Sequence, residues 1–550
     1  MNLMRAVLAL SISAVAACSS SDDATAPAPA ATGYAEKDRG AEAKRLLTGP
    51  DWYRHAVIYE VYVRSLQDSN GDGIGDLPGL TSRLPELQAL GVDALWLMPI
   101  MPTAFADSGY DVADYTDVNP EYGSLADFDA LVSAAHARGM RVMVDLVLNH
   151  TSDQHAWFKE SQKDKTNPKA DWYVWSDTPS RPDVGCGTFN VQFGNEAWTL
   201  SQPRNQYYFH RFYAGQPDLN YKNPEVVKAT LDAAKFWLDR GVDGFRCDVI
   251  GLLAESATGC DMIPETQAYI RQLRALLDAY PDRAMVAEST NYESAVEYFG
   301  NGRDMFHMAF NFGFGYFWGF PFAGSEARAV SEKLEGSRKG APAGAQEALV
   351  IGSHDVSRAY VAAKKIESRW RRAAFVQLTA AGTPFIYYGE ELALRPGKTK
   401  VVDVRDYQRT PMPWTKAPGH GFTTGTPWIP FADESDVTNV EVEAADPASN
   451  YAFYKALLAA RRGREAFGSG TMTFLQGDSP AVLAFERSSA DETYLAVVSM
   501  DESAPQTTRL ATATVTGAPA LLFGDAKATR DGATLVVTIP PEGMALFRVK

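Results

Sequence analysis

The sequence predicts an α/β protein built on a (β/α)8 TIM barrel, with a subdomain inserted after strand 3 and a C-terminal antiparallel β-sandwich domain. Three observations predict it. Between residue 50 and about residue 395, eight short apolar strands alternate with amphipathic helices, the pattern of parallel strands buried on both faces. The stretch 151–220, rich in Trp, Tyr, Asp and Pro, is far too long for an ordinary connection. After about residue 465 the pattern becomes short alternating strands separated by turn residues, as in an antiparallel sheet.

Taken in order, residues 1–17 read as an export signal: Arg5, a short apolar run, then Val15-Ala-Ala-Cys18. The run is too short for a transmembrane helix. Its end looks like a bacterial lipobox, with cleavage before Cys18 and lipid on that sulfur. An ordinary secretory signal cut near Ala17 is the alternative. Residues 18–49, rich in Ser, Asp, Ala, Pro and Thr, lack apolar periodicity and read as a disordered tether. The expected location is the cell envelope, with the membrane touched only through the anchor.

The barrel is assigned to 50–464, with strands at Val57–Leu66, Ala94–Ile100, Arg141–His150, Gly244–Val249, Ala284–Thr290, Met305–Asn311, Ala348–Asp355 and Pro384–Glu391. Helices are read at Leu125–Arg138, Pro224–Arg240 and Thr266–Ala279. A doubly wound sheet would want a Gly-rich phosphate turn after an early strand, and none stands there. In the C-terminal domain, 465–550, strands are read at Ala481–Arg487, Thr493–Val498, Ala520–Phe523, Thr534–Ile539 and Met544–Val549.

Apolar residues make 45% of the chain and charged residues 22%, so a large core can form. A net charge of −16 with no basic block argues against nucleic acid or an anionic membrane as partner and suits a neutral substrate. Cys186, Cys247 and Cys260 remain after the signal. Cys247 reads as a small buried residue; whether Cys186 and Cys260 are bridged depends on whether their loops meet, which the sequence leaves open.

Polar residues gather where the strands end: Asn149-His150, Arg246 to Asp248, Glu288, His354-Asp355 and Glu390-Glu391. In such barrels the site lies at those C-terminal ends. Strand alternation puts Arg246 and Asp248 on one face, Phe245 and Cys247 on the other. A carboxylate beside a guanidinium is kept ionised, as a nucleophile must be, although a structural Arg–Asp pair has the same appearance. Glu288, in the apolar run Ala284-Met-Val-Ala-Glu288, is set for a raised pKa and a proton-donor role. Retaining glycoside hydrolysis needs that pair, and Asp355 offers a further charge against an oxocarbenium ion.

Asp145-Leu-Val-Leu-Asn-His150, Gly244-Phe-Arg-Cys-Asp248, Val286-Ala-Glu288 and Ser353-His-Asp355 stand in order on successive strands. In these the chain resembles the α-amylase family of glycoside hydrolases. The resemblance implies Asp248 as nucleophile, Glu288 as acid/base and Asp355 as transition-state stabiliser. Tyr110 would stack on the bound glucose; Asp107, His150, Arg246 and His354 would bind its hydroxyls. Ser353 departs from the family's usual Asn, a supporting position. Asn149-His-Thr-Ser-Asp-Gln-His155, Gln216-Pro-Asp-Leu-Asn220, Arg409-Thr-Pro-Met-Pro-Trp414 and Gly421-Phe-Thr-Thr-Gly425 resemble the oligo-1,6-glucosidase branch, in which Arg409 would reach the innermost glucose. Val249 matches the residue that this branch carries when it prefers α-1,6 links; plain strand packing is the alternative. Gln206-Tyr-Tyr-Phe-His210 and Pro264-Glu-Thr-Gln267 are similar to trehalose synthases, and a short loop from Leu392 to Tyr407 implies a wider pocket mouth.

The expected activity is retaining hydrolysis of α-1,4 or α-1,6 glucosidic bonds in short oligosaccharides, by a monomer without an organic cofactor. The alternatives are an endo-acting α-amylase, a trehalose-forming isomerase or transglycosylase, and a non-catalytic binding relative. Asp68-Ser-Asn-Gly-Asp-Gly-Ile-Gly-Asp76 resembles a calcium loop, with Asp68, Asn70, Asp72, Ile74 and Asp76 as ligands of a structural Ca2+. Position twelve is Gly79 rather than the Glu of an EF-hand.

Overall fold

The structure is a computed structural model that describes residues 39–188, 193–194, 196–291, 294–315, 327–402, 404–512, 515 and 517–550. The expected signal, its lipidation residue Cys18 and the tether up to residue 38 lie outside the described residues; the rest of the expected tether is not disordered, since Arg39–Leu46 is a helix that buries Ala43 and Leu46.

Eight parallel strands close into a barrel: β1 (Ile58–Val61), β2 (Ala94–Leu97), β3 (Arg141–Val147), β7 (Gly244–Asp248), β8 (Ala284–Ala287), β9 (Met308–Asn311), β10 (Gln346–Leu349) and β11 (Thr383–Tyr387). Their order around the barrel is β1-β11-β10-β9-β8-β7-β3-β2. Each strand alternates. Ile58, Ala94, Trp96, Met143, Val286, Met308, Phe310, Ala348 and Phe385 fill the interior, while Tyr59, Leu95, Val144, Phe245 and Cys247 pack outward in the larger core. This two-residue period carries Arg246 and Asp248 inward at the rim.

All eight strands fall where the sequence reading placed them, but several were drawn too long. Val63–Leu66 is a helical turn, not strand; a short apolar run does not separate the two. Asn149, His150, Glu288, His354, Asp355, Glu390 and Glu391 lie just past the strands. The read helices form over Leu125–Ala137, Pro224–Asp239 and Pro264–Asp278. The first is closed by a reciprocal Ser124–Asp127 capping box.

Within 151–220 a small antiparallel sheet has formed from β4 (Trp175–Ser176), β5 (Trp198–Ser201) and β6 (Gln206–Phe209), in order β4-β6-β5. Cys186 and Cys260 are bridged, tying this insertion to the loop beyond β7, and Cys247 is free and buried.

The C-terminal domain pairs two sheets. β12 (Thr471–Phe474), β13 (Val482–Ser488), β14 (Thr493–Ser499), β19 (Met544–Arg548) and β16 (Ala520–Gly524) make one. β15 (Gln506–Ala511), β18 (Thr534–Ile539) and β17 (Lys527–Asp531) make the other. Val482, Leu495 and Val497 of the first meet Leu510, Leu535 and Val537 of the second in one core, which makes a sandwich. β12, β15 and β17 were not read from the sequence, because their residues are largely exposed and carry little apolar alternation.

Candidate active site

Arg246 is the hub of the rim. It is fully buried. One terminal nitrogen contacts Asp248 and lies 3.1 Å from Asp145; the other lies 2.9 Å from Glu288 Oε2. Its cation also sits 5.2 Å from the Trp96 ring centre and 5.6 Å from that of Tyr110. One guanidinium thus holds the acids from the ends of β3, β7 and β8 around one point.

Burial sets their protonation. It pushes Asp248 up to about 7, against the pull of Arg246 and with a further push from Asp145. It pushes Glu288 up to about 8, again against Arg246, with Asp248 and Asp355 adding to the rise. Glu288 therefore keeps its proton more firmly than Asp248 does. The expectation that the neighbouring guanidinium keeps Asp248 ionised is opposed by burial, which outweighs the pull of Arg246. Asp355 goes the other way. Burial raises it, but His354, Arg405, Arg409 and Arg246 together hold it below the usual carboxylate range.

Glu288 has a second tether. The Val249 N–H donates to Glu288 Oε2 at 2.8 Å, and Val249 itself takes the left-handed conformation, φ +34°. For a β-branched residue that backbone is strained.

The remaining residues surround this centre. The Tyr110 hydroxyl donates to Asp145 at 2.9 Å and meets His354 Nε2 at 2.8 Å, the two rings stacked 10° from parallel. His354 Nδ1 contacts Glu60, and its Nε2 lies 3.3 Å from Asp355. Burial pushes His150 down to about 4, so it is neutral. Its ring sits between Asn149, the Tyr110 carbonyl and Gln216. Gln216 donates to Asp107 at 3.0 Å.

Arg405 contacts Asp107 and lies 3.2 Å from Asp355, closing the far side of the site. Arg409, the arginine singled out in the sequence, sits behind it. Arg409 has no exposed side-chain surface, donates to the His354 carbonyl at 3.1 Å and lies 3.4 Å from Asp355. The sequence reading named Arg409 for the innermost glucose, but the arginine that contacts Asp107 is Arg405, four residues earlier. Glu60, Asp145, Gln216 and Arg405 were not given roles. Asp145 and Gln216 stood inside motifs already quoted, whereas Glu60 lies within an otherwise apolar strand and signalled only by being there.

The Asp68–Asp76 loop is separate. Its donors are oxygens of the kind a hard cation takes. Asp68 Oδ1 accepts from the Asn70 and Gly71 amides, its Oδ2 from the Gly73 amide. Asp76 accepts from Ser69 and caps the following helix at Gly79. Asn70 and Asp72 each accept the amide two residues on. Among the described residues no three acidic, histidine or cysteine side chains gather as a metal site would require. The donor types fit calcium, but their present arrangement serves the loop's own backbone.

Comparison with known proteins agrees with this architecture. The description "Alpha amylase, catalytic domain" matches residues 60–470, and "Maltogenic Amylase, C-terminal domain" matches 472–546. A probable alpha-glucosidase of Rhizobium meliloti is 37% identical over 515 residues, covering 82% of this chain and 90% of that protein. A trehalose synthase/amylase of Mycolicibacterium smegmatis is 38% identical over 497 residues, covering 81% of this chain and 82% of that protein. The crystal structure of an alpha-glucosyl transfer enzyme superposes with TM-score 0.77 at 33% identity, covering 92% of this chain and all of that one.

Proposed function

The chain belongs to the α-amylase family and is a glycoside hydrolase, and from that premise we propose that it releases terminal glucose from short α-glucosides with retention of configuration. Glu288 protonates the glycosidic oxygen while Asp248 attacks the anomeric carbon. Water, deprotonated by the same glutamate, then frees the sugar. Asp355, held ionised, faces the developing oxocarbenium charge. Tyr110, Asp107, His150, His354 and Arg405 bind the glucose, with Arg409 bracing Asp355 and His354 from behind.

The observation that carries this reading is the shared guanidinium. Arg246 contacts Asp248 and Glu288 through its two terminal nitrogens, so both carboxyls face one space. The Arg405 contacts to Asp107 and Asp355 support a pocket blocked at one end, which suits exo action. Val249 supports a preference for α-1,6 links by analogy alone.

A second reading is α-glucosyl transfer or trehalose formation, favoured by the names carried by relatives of similar identity. Product analysis on maltose, isomaltose, trehalose and soluble starch separates the readings. Glucose from the outset supports hydrolysis from the chain end. Trehalose as the main product from maltose overturns it, and a ladder of maltooligosaccharides from starch points to endo action.

Lipid attachment at Cys18 also belongs to the proposal. Palmitate labelling that persists in a Cys18→Ser chain would sink it.

A further inference from the structure

The barrel's other end holds an open cavity of about 900 Å³. It is built where the neighbouring strands β8, β9 and β10 begin, and β1 beyond β11: Asp282 and Arg283 precede β8, His307 precedes β9, Ala343 and Gly344 precede β10, and Tyr53 and His55 precede β1. Thr48 and Pro50 wall it from the N-terminal side. In such barrels this end serves stability, and stability calls for filled space. A void of this size, within the range of small-molecule sites, is the first indication of a ligand.

The second is its hydrogen-bonding inventory. Arg45, Arg54, Arg274, Arg283 and Arg303 all line the cavity, in a chain whose net charge is −16. Facing them are Asp51, Asp278, Asp282 and Glu465. Three of those acids are already taken: Asp51 by Arg54 at 3.1 Å, Asp278 by Arg274 at 2.8 Å, Glu465 by Arg45 at 3.3 Å. Arg45 is also held by Glu42 at 2.8 Å, Arg54 by Gln346 and the Gly344 carbonyl, Arg274 by the Met305 carbonyl, and Arg283 by Asp243 at 3.4 Å and the Pro281 carbonyl; with five N–H donors and no acceptor on each arginine, some donors still remain. Arg303 shows no side-chain partner among the described residues.

His307 adds to the excess. The Met285 N–H donates to its Nδ1 at 3.2 Å. Burial, with Arg274 and Arg54, pushes it down to about 3, so the ring is neutral and its one proton sits on Nε2. His55 is pushed down to about 4, by burial first and then by Arg461, Arg45 and Arg54. Both imidazoles are thus neutral, burial being the first cause in each.

A neutral sugar needs donors and acceptors in comparable number. A cavity whose donors outnumber its acceptors, with three of the four lining acids engaged, suits a ligand that only accepts, and planar guanidinium forks match phosphate oxygens. We propose that this cavity binds a phosphate-bearing small molecule of about monosaccharide or disaccharide size, at a site separate from the catalytic rim.

Thermal unfolding of the full chain tests it, with glucose 1-phosphate, inorganic phosphate and glucose as probes and chloride balancing ionic strength. Near-saturating glucose 1-phosphate is expected to raise Tm by about 2 °C, and inorganic phosphate by a smaller step. Arg303→Glu, which reverses the charge of an exposed side chain, and Ala343→Trp, which fills the void, are expected to abolish both shifts. Neither touches the catalytic rim, so glucose release from maltose stays at the wild-type rate. No shift beyond that of chloride would overturn the proposal, as would an equal shift with glucose, or a shift that survives Arg303→Glu.

Discussion

Two sets of buried arginines divide the labour of this molecule. At the rim, Arg246, Arg405 and Arg409 face carboxylates: Asp145, Asp248, Glu288, Asp107 and Asp355. Where the barrel meets the sandwich, the hydrogen bonds of Arg487 and Arg461 among the described residues go to backbone carbonyls. Arg487 donates to Thr379, Ala380, Phe467 and Gly470; Arg461 donates to Leu378, Gly382 and Phe467. The interface arginines tie the end of the helix Glu367–Thr379 to the C-terminal domain, satisfying carbonyls that a helix end leaves open. The rim arginines leave two carboxyls with raised pKa values instead. One set is arranged for cohesion, the other for proton transfer.

The largest expected effect separates them directly. Glu288→Gln lowers kcat by about a thousandfold or more, since general acid catalysis contributes on that scale, while Tm is unchanged or rises. A rate within tenfold of wild type would mean that another group donates the proton. Arg487→Met is the mirror experiment. It strands several buried carbonyls and costs about 3 kcal/mol of stability, read as a lower denaturant midpoint with kcat preserved. If instead kcat falls and the midpoint holds, the division of labour fails.

Arg405→Ala sharpens the comparison within the rim. Truncating one partner of a buried ion pair costs about 2 kcal/mol or more in binding, so KM for maltose should rise about thirtyfold, with a smaller change in kcat. Should Arg409→Ala raise KM more than Arg405→Ala does, Arg409 is the residue that meets the sugar.

Protonation gives a gentler break. Glu288 must carry its proton to donate it, and its pKa lies near 8. Activity therefore falls about tenfold for each unit above that pH, and it also falls on the acid side as Asp248, raised to about 7, takes up the proton that a nucleophile must lack. The kcat/KM profile should show an alkaline limb near 8 that Arg246→Lys displaces, because the charge on Glu288 depends on that guanidinium. An alkaline limb unmoved by Arg246→Lys would put the titrating group elsewhere.

How far these differences were legible follows from period and distance. Arg246 and Asp248 were placed on one face by a two-residue alternation, and the structure keeps it. The eight strands were readable because they are apolar on both faces. Exposed β15 and β17 were not, since packing rather than local pattern makes them strands. Nothing in the sequence says that Arg405 and Asp107, nearly three hundred residues apart, meet. Nor does it say that Val249, whose amide meets Glu288, is left-handed, because that conformation runs against the residue's own preference. The Cys186–Cys260 bridge is of the same kind.

The smallest effect concerns the Asp68–Asp76 loop, where the two arrangements of oxygen meet in one segment. Its side-chain oxygens already receive amides from Asn70, Gly71, Asp72, Gly73 and Ile74, as the interface carbonyls receive guanidinium protons. A calcium ion there would have to use lone pairs those amides leave free, which a carboxylate with about four acceptor sites still offers. If calcium binds, chelation by EDTA should lower Tm by a few degrees, calcium should restore it, and Asp72→Ala should remove the response. Asp72 is the sensitive choice, because its carboxylate caps only the Ile74 amide and its loss leaves the loop's other turns intact. A Tm indifferent to EDTA would mean that backbone amides alone hold this loop.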